Sequence, residues 1–488
     1  MMMMKKKLPL LLLCMVLALY SIAATTVSTS TTSAQFSPSP RSSKPRRRSP
    51  AHSLPILPLQ ARRGGAAVKP KRAAASATKD KKISLVYPIL AAYLYNLSIG
   101  FTVPVLPKII NMLVNDGDPK VSPASARMYG LVQATDQAVT FLLVNGACLL
   151  SDKYGRRPLM ALANVGLGTG QLIASLATNP RLLLLGAAID GATSFSYPLA
   201  QSYIADITPP SSLPQALGLF QGVATGGAFL LGIPLSGLIA AKKGLRLSLY
   251  IAAGICATNV LFISAALPES LPPSLRRADA SLLEANVWGA VRTVATNPFI
   301  ALCSLTYFLL HLALNGLQIN FVNYSQYKFG WNVAQSSASL CLIFIFTALF
   351  PRLLLPLLGI RQAIQLCSCL FAVGFTTLGL ATTTPVVLLS LIIIAAGSVS
   401  LPATLALLTN QAPPSEKGSL NGAADTVRTL SSAIGFPLMT SVFAYFISEK
   451  APFQLPGAAL FLGAAVSVLA FVSLQVALRY HDHHDKSV

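Results

Sequence analysis

From Ile83 onward, long apolar runs alternate with short polar breaks. The runs lie at about 84–107, 127–151, 158–178, 181–206, 216–240 and 247–267, then at 297–321, 333–357, 360–382, 384–409, 418–446 and 455–478. Each is near the ~20 apolar residues that a helix needs to cross a bilayer, so the pattern predicts twelve transmembrane helices. One polar break is much longer than the others. It covers 268–296, opens with Pro268-Glu269-Ser270-Leu271-Pro272-Pro273 and carries Arg276, Arg277, Asp279 and Glu284, dividing the spans six and six. The expected organisation is a leader over 1–82, a six-helix bundle over 83–267, the connecting loop 268–296, a second six-helix bundle over 297–479 and a polar tail over 480–488. The expected fold class is therefore an all-α membrane protein, and the even number of spans puts both ends of the mature chain on one side.

The two bundles share their punctuation. Pro198, Pro209, Pro210, Ser211 and Gly218 recur 204 residues later as Pro402, Pro413, Pro414, Ser415 and Gly422. These matches fall at the end of the fourth and tenth spans and the start of the fifth and eleventh. That placement points to parallel repeats with a site between the halves near the bilayer midplane.

Composition supports a membrane chain and adds the leader. The 488 residues are 53% hydrophobic and only 11% charged, far too apolar for an ordinary soluble protein. The net charge of +22 is mostly a property of residues 1–82, which hold 16 of the 37 basic residues and one of the 15 acids. With no aromatic interleaving and no folded motif, that tail does not argue for nucleic acid as a partner. Met1 to Lys7 is basic, Leu8 to Ile22 is an apolar run of signal-peptide length, and Ala23-Ala24 or Thr32-Ser33-Ala34 offers small residues for cleavage. Residues 25–78 are acid-free and rich in Ser, Thr, Pro and Ala, as in an organellar transit peptide. A signal followed by such a stretch looks like the two-part address of plastids of secondary origin. The expected destination is a plastid envelope or another organelle membrane reached through the secretory route, with a disordered cytoplasmic tail as the alternative. The seven cysteines lie in the leader or in and beside apolar spans and form no disulfide framework.

Between the second and third runs stands Ser151-Asp152-Lys153-Tyr154-Gly155-Arg156-Arg157-Pro158, a cationic turn whose proline suits the first turn of the next helix. Lys153, Arg156 and Arg157 place it on the cytoplasmic or equivalent face. Asp-Lys-x-Gly-Arg-Arg after an apolar span resembles the loop between the second and third spans of the major facilitator superfamily, with Cys148 where that family has its first glycine. Further segments resemble its drug:proton antiporter branch, which includes tetracycline-exporter-like proteins. They are Asn96-Leu97-Ser98-Ile99-Gly100-Phe101-Thr102-Val103-Pro104-Val105-Leu106-Pro107 in the first span and Tyr203-Ile204-Ala205-Asp206-Ile207-Thr208 at the end of the fourth. Gly226, Gly232, Pro234 and Gly237 are similar to the branch's fifth-span motif, except that Ile233 separates a Gly-Pro pair that the motif has adjacent. Ala187 stands where the branch has an arginine in its fourth span. The resemblance implies the major facilitator fold and transport by alternating access. It implies a conformational loop motif of Asp152, Lys153, Gly155, Arg156, Arg157 and Asp206, in which Arg156 pairs with Asp206, Asp152 approaches the start of the eleventh span at 417–420, and the loop clasps the halves together. Gly226, Gly232, Pro234 and Gly237 become a helix-bending motif, its small residues allowing close helix approach and its proline weakening the helix ladder.

Ionisable groups inside a span are costly and are functional candidates by default. Asp136 and Asp190 each lie about ten residues into their spans, near mid-membrane at ~1.5 Å per residue. Each is a candidate to carry a proton or bind a cationic solute, with a structural hydrogen bond as the alternative. Asp425 and Arg428 share a face of the eleventh span and either neutralise each other or serve a gate or solute. Asn315, Gln318, Asn320 and Asn323, after His311 in the seventh span, suggest a cavity lining, and Asn96, His311, Gln318 and Asn320 join the candidate proton or solute sites. His481-Asp482-His483-His484-Asp485 has metal-ligand residue types, but a short tail is read as solvated, and no metal or cofactor is expected.

The leading reading is a secondary transporter of a small organic solute, coupled to protons or a counter-solute. An uncoupled facilitator is the alternative, favoured by the missing arginine, and a transport-inactive scaffold or receptor is the third reading. A membrane enzyme would want a cluster of histidines and acids or a nucleophile with its base. Outside the leader and tail the only histidine is His311, so enzymatic activity is not expected. The expected partners are the solute, protons and the bilayer, and the chain is expected to act as a monomer.

Overall fold

The computed structural model describes residues 83–209, 212–276, 297–410 and 417–486. The signal and transit-like leader, most of the connecting loop, and Pro210, Ser211, Pro413, Pro414 and Ser415 lie outside the described residues, as do the side chains of the 481–485 tail.

Among the described residues, ten helical stretches are long and apolar enough to cross a membrane by length and composition. Two further spans complete twelve. Val333–Leu380 passes through Gly359, whose φ of 71° and ψ of 166° leave the helix and divide one stretch into the eighth and ninth spans. Pro123–Tyr154 carries too many polar residues to count by hydropathy, yet it packs in the bundle as the second span. The protein is an all-α membrane protein of twelve transmembrane helices in two six-helix bundles.

Caps explain several boundaries that apolar periodicity misplaces. Ser122 accepts from the Ser125 amide in a capping box ahead of Pro123, so the second span begins before the expected 127. Asn179, Asn297 and Asn332 likewise accept from amides of the helices they precede. The first span breaks after Thr102 and resumes as Leu106–Val114, because Pro104 and Pro107 withhold backbone donors there.

The repeat is visible in the helix ends. The fourth span is Pro180–Thr193 plus Ser196–Ile207, and the tenth is Thr384–Gly397 plus Ser400–Asn410. Their starts, their breaks and their restarts are each 204 residues apart, as are the starts of the fifth span at Leu213 and the eleventh at Lys417. Gly155 and Gly359, also 204 apart, both have positive φ and both turn the chain between consecutive spans.

The fifth span corrects the bending motif. Its backbone leaves α geometry in the π-helical segment Gln221–Gly227, upstream of the expected proline, and continues helically through Pro234 in Ala228–Lys243. Gly226 lies in that segment. Gly232 lets the first span approach, since a Cβ there would stand 2.9 Å from the Leu97 carbonyl, and Gly237 makes room for Ser337 of the eighth span, so only the place of the departure from α geometry differs from expectation.

The face bearing the 151–158 turn is called here the motif face, and the opposite one the far face. At the far face one apolar core joins both bundles, mixing Ile109, Ile110 and Tyr129 with Phe321, Met439 and Phe443. Gly130 of the second span meets Thr440 of the eleventh so closely that no Cβ fits. Toward the motif face the cores separate: one cluster holds Met160, Tyr203 and Phe220 of the first bundle, another Cys303, Leu408 and Leu474 of the second. The halves are therefore closed at the far face and parted at the motif face.

Candidate functional site

Gly155 has a φ of 104°, which lets the chain reverse between Tyr154 and Arg156 without an intervening loop. Arg156, at the start of the third span, is buried, with Nη1 2.6 Å from Asp152 Oδ1 and Nε 3.2 Å from Asp206 Oδ2. It also donates to Ser151 Oγ. Asp206 Oδ2 accepts from Ser270 Oγ at 2.9 Å. Glu269 caps the third span, accepting from the Arg156 amide at 2.9 Å and the Arg157 amide at 3.2 Å, where the helix dipole favours an anion. Arg157 in turn donates to the Ile263 carbonyl at 3.0 Å and to that of Ser264, closing the end of the sixth span. Lys153 lies 5.8 Å from the centre of the Tyr154 ring. These bonds fasten the second, third, fourth and sixth spans of one half. The expectation that the Arg156–Asp206 pair itself clasps the halves is corrected: both residues belong to the first bundle, and the pair is formed while the motif face is open. The side chains of 417–419, toward which Asp152 was expected to point, lie outside the described residues.

Cys148 packs partly against the first bundle's motif-face core and remains half-exposed. Cys148→Gly is expected to leave folded protein at wild-type yield, because it restores the glycine that the resemblance implies here, and small residues favour helix contact. A drop in monodisperse protein on size exclusion would show instead that the thiol fills a needed space.

Asp136 of the second span and Asp190 of the fourth meet deep in the first bundle. A Cβ on Gly191 would stand 3.1 Å from Asp136 Cα, and Thr140 Oγ1 donates to the Gly191 carbonyl at 3.2 Å. This close approach brings the two carboxylates within electrostatic reach of each other and of the Tyr95 hydroxyl on the first span. Asp136 Oδ2 accepts from Gln137 Nε2 at 2.8 Å, whereas Oδ1 is buried with no partner among the described residues. No ion pair among the described residues neutralises either acid. Ser98, on the same helix as Tyr95, donates to Gln171 Oε1 at 2.9 Å and ties the first, third and sixth spans around the pair. Asn96 does not join them, since it is buried and its amide donates to the Ala92 carbonyl of its own helix at 2.9 Å.

In the second bundle, Arg428 Nε is 2.8 Å from Asp425 Oδ1, and their side chains are 41% and 38% exposed although protein surrounds them. They therefore line an open cleft. Tyr197 of the fourth span and Tyr307 of the seventh lie within electrostatic reach of both, and Cys148 of the second within that of Asp425. The Tyr197 hydroxyl donates to Gln221 Oε1, the first residue of the π-helical segment. Gln221 is exposed and lies 204 residues before Asp425, so equivalent positions of the two halves face one cleft. Single turns of π-helix recur at functional sites. His311 packs edge-on to Tyr307 at 4.5 Å, within reach of Arg428, and its Nε2 has no partner among the described residues.

The seventh-span amides correct the expected cavity lining. Asn315 donates to the Ser431 carbonyl at 3.0 Å, and Asn320 to the Met439 carbonyl at 3.2 Å, so both pin the seventh span to the eleventh. Asn323 accepts from Asn111 of the first span at 3.3 Å, and Gln318 is exposed. A period of 3.6 residues spreads these four positions around the helix instead of along one wall. Sequence reasoning also missed Tyr95, Tyr197, Gln221 and Glu269. The 204-residue offset from Asp425 pointed to Gln221, and the position of Glu269 just beyond the sixth span, on the face of the basic turn, pointed to a helix cap.

Comparison with known proteins agrees with this geometry. The family model described as Major Facilitator Superfamily matches residues 83–436. The tetracycline resistance protein, class C, of Escherichia coli is 26% identical over 383 residues, covering 77% of this chain and 92% of that protein. The human hippocampus abundant transcript-like protein 1 is 24% identical over 373 residues, covering 71% of this chain and 72% of its own. Among solved structures, the human organic anion transporter MFSD10 (TETRAN) superposes with a TM-score of 0.61 at 20% identity, covering 80% of this chain and 98% of that one. A family match over most of the chain, twelve spans in two repeated bundles and a polar cleft between them together place the protein in the Major Facilitator Superfamily, as a secondary transporter.

Proposed function

We propose that the protein carries a small organic solute through the cleft by alternating access, with a proton held by the Asp136–Asp190 pair. The observation that carries this reading is a pair of interacting acids deep within the first bundle, without a basic partner among the described residues, together with a cleft that both halves line with polar groups. Ionised carboxylates at that depth are costly, and two side by side repel, so a shared proton accounts for their coexistence. Asp425, Arg428, Gln221, Tyr197, Tyr307 and His311 supply donors and acceptors from both halves for the solute. The names of similar proteins, tetracycline resistance protein and organic anion transporter, support a compact organic solute with polar groups. Ala187, in place of the branch's arginine, favours a second reading, an uncoupled facilitator.

The deciding experiment is uptake by purified protein in liposomes, with a solute panel that includes tetracycline and fluorescein, with and without an imposed pH gradient. The gradient is expected to accelerate uptake. Asp136→Asn or Asp190→Asn is expected to abolish that acceleration while solute exchange stays measurable, because the amide keeps the shape and cannot titrate. Full proton-driven uptake in both variants would overturn the coupling, and exchange indifferent to pH in the wild type would establish the facilitator.

A further inference from the structure

We propose that Lys108 sets the charge preference of the far-face opening, admitting anionic solutes and holding back cations. The proposal rests on the alternating-access reading above. Lys108 lies on Leu106–Val114, the outer piece of the first span, and is 4% exposed. Its Nζ donates to Gln326 Oε1 of the seventh span, across the line between the halves. Beside it Gln326 Nε2 donates to the Pro119 carbonyl at 2.7 Å, and Asn111 Nδ2 donates to Asn323 Oδ1 at 3.3 Å. Besides the apolar core that joins the halves, the polar part of the far-face seal is thus a set of hydrogen bonds between neutral groups with one lysine among them.

No acid among the described residues pairs with that lysine. Asp116 and Asp118 sit exposed on the hairpin after the first span, where Asp118 Oδ1 accepts from the Lys120 amide at 2.9 Å. Lys328, the next cation along the seventh span, is turned into its own bundle, donating to the Gly379 carbonyl at 2.8 Å and the Tyr324 hydroxyl at 3.2 Å. Burying an amino group against an amide alone forfeits hydration without gaining a counter-charge. A latch requires none of this, because a neutral donor would hold Gln326 equally well. The lysine has a use in the other state. When the halves part at the far face, the bond to Gln326 breaks, since its two ends belong to different halves. The freed amino group hydrates and is cationic at neutral pH. It then stands at the mouth of the cleft with no acid paired to it, as fixed charges do where pores select ions by sign.

The test reads the local potential and needs no knowledge of the solute. Asn111→Cys is introduced into the full-length reconstituted protein, with unsubstituted protein as the background. Two thiol reagents of opposite charge, methanethiosulfonate ethylsulfonate and methanethiosulfonate ethyltrimethylammonium, are applied from the far face. The anionic reagent is expected to react faster, relative to each reagent's rate with a free thiol, by roughly fivefold, as one charge about 10 Å away dictates. Lys108→Gln should abolish the preference and Lys108→Glu should invert it. Should those variants fail to fold, raising ionic strength on the Asn111→Cys protein must collapse the ratio, because such a field is screened. A ratio unchanged by Lys108→Gln or by salt overturns the proposal and leaves alternating access standing. Absence of reaction with either reagent during turnover means that the gate does not open at this point, which removes both.

Discussion

Arg156→Ala is expected to lower transport about five- to 150-fold at unchanged protein abundance, the range that a coupling of ~1–3 kcal/mol produces in a two-state balance. Exposed ion pairs contribute only ~0–1 kcal/mol, but this arginine is not exposed. Its side chain is 10% exposed and is shared between Asp152, Asp206 and Ser151, while its backbone amide is held by Glu269. Removing it leaves two partly buried acids without their cation and loosens the joint of four spans. The expected loss is of transport, not of the fold, because the apolar core beneath, with Met160, Tyr203 and Ile204, is unchanged. Asp206→Ala should add little in the Arg156→Ala background, since the partner is already gone and groups in one network are not additive. Because the pair persists with the motif face open, its proposed work is to shape the turn that docks on the other half when that face closes. Cysteine accessibility should accordingly report fewer molecules closed at the motif face. Equal populations in wild type and Arg156→Ala would reduce the turn to a signal for membrane orientation.

The second large effect is steric. In Gly191→Ala the new methyl would collide with the Asp136 carbonyl and stand 3.1 Å from its Cα. Backbone cannot rotate away as a side chain does, so the fourth span must shift from the second. Overpacking of this kind costs ~1–3 kcal/mol or more, and here it also separates Asp190 from Asp136. The expected result is a lower apparent melting temperature in detergent together with loss of pH-driven uptake. Gly254→Ala is the control, since nothing lies within 4 Å of a Cβ there. If the two variants melt alike and transport alike, the close approach of these spans is wrong.

Much of the architecture could be read from residues alone, because crossing a bilayer demands long apolar runs and the turn between Asp152 and Pro158 carries an unusual density of charge. The 204-residue repeat, first suggested by prolines and a glycine, returned in the helix breaks at Ser194 and Ser398. What escaped was rotation about each helix axis. In a polytopic bundle both the lipid-facing and the buried surfaces are apolar, so periodicity does not reveal which face looks inward. That is why Asn315 and Asn320, which bind the eleventh span, were grouped with Gln318, which is exposed. It is also why Tyr95 and Tyr197 passed as ordinary core aromatics. Their neighbours are decided by where small residues such as Gly130 and Gly191 let two helices touch, a property of pairs of spans rather than of any one.

The two positive-φ glycines at the inter-span turns carry one more consequence. Around Gly155 the chain reads Ser-Asp-Lys-Tyr-Gly-Arg-Arg-Pro, and around Gly359, at the same register, it reads Leu-Pro-Leu-Leu-Gly-Ile-Arg-Gln. The bend was kept in both copies, but Asp152 faces Pro356, Lys153 faces Leu357 and Arg156 faces Ile360 in the correspondence. Had the second turn retained the full charge set, two cationic rims would draw together each time the motif face shut, and their mutual repulsion would grow as water left the gap. With Arg361 as the second turn's cation within this stretch, at the place of Arg157, the rim is lopsided in charge and that repulsion is smaller.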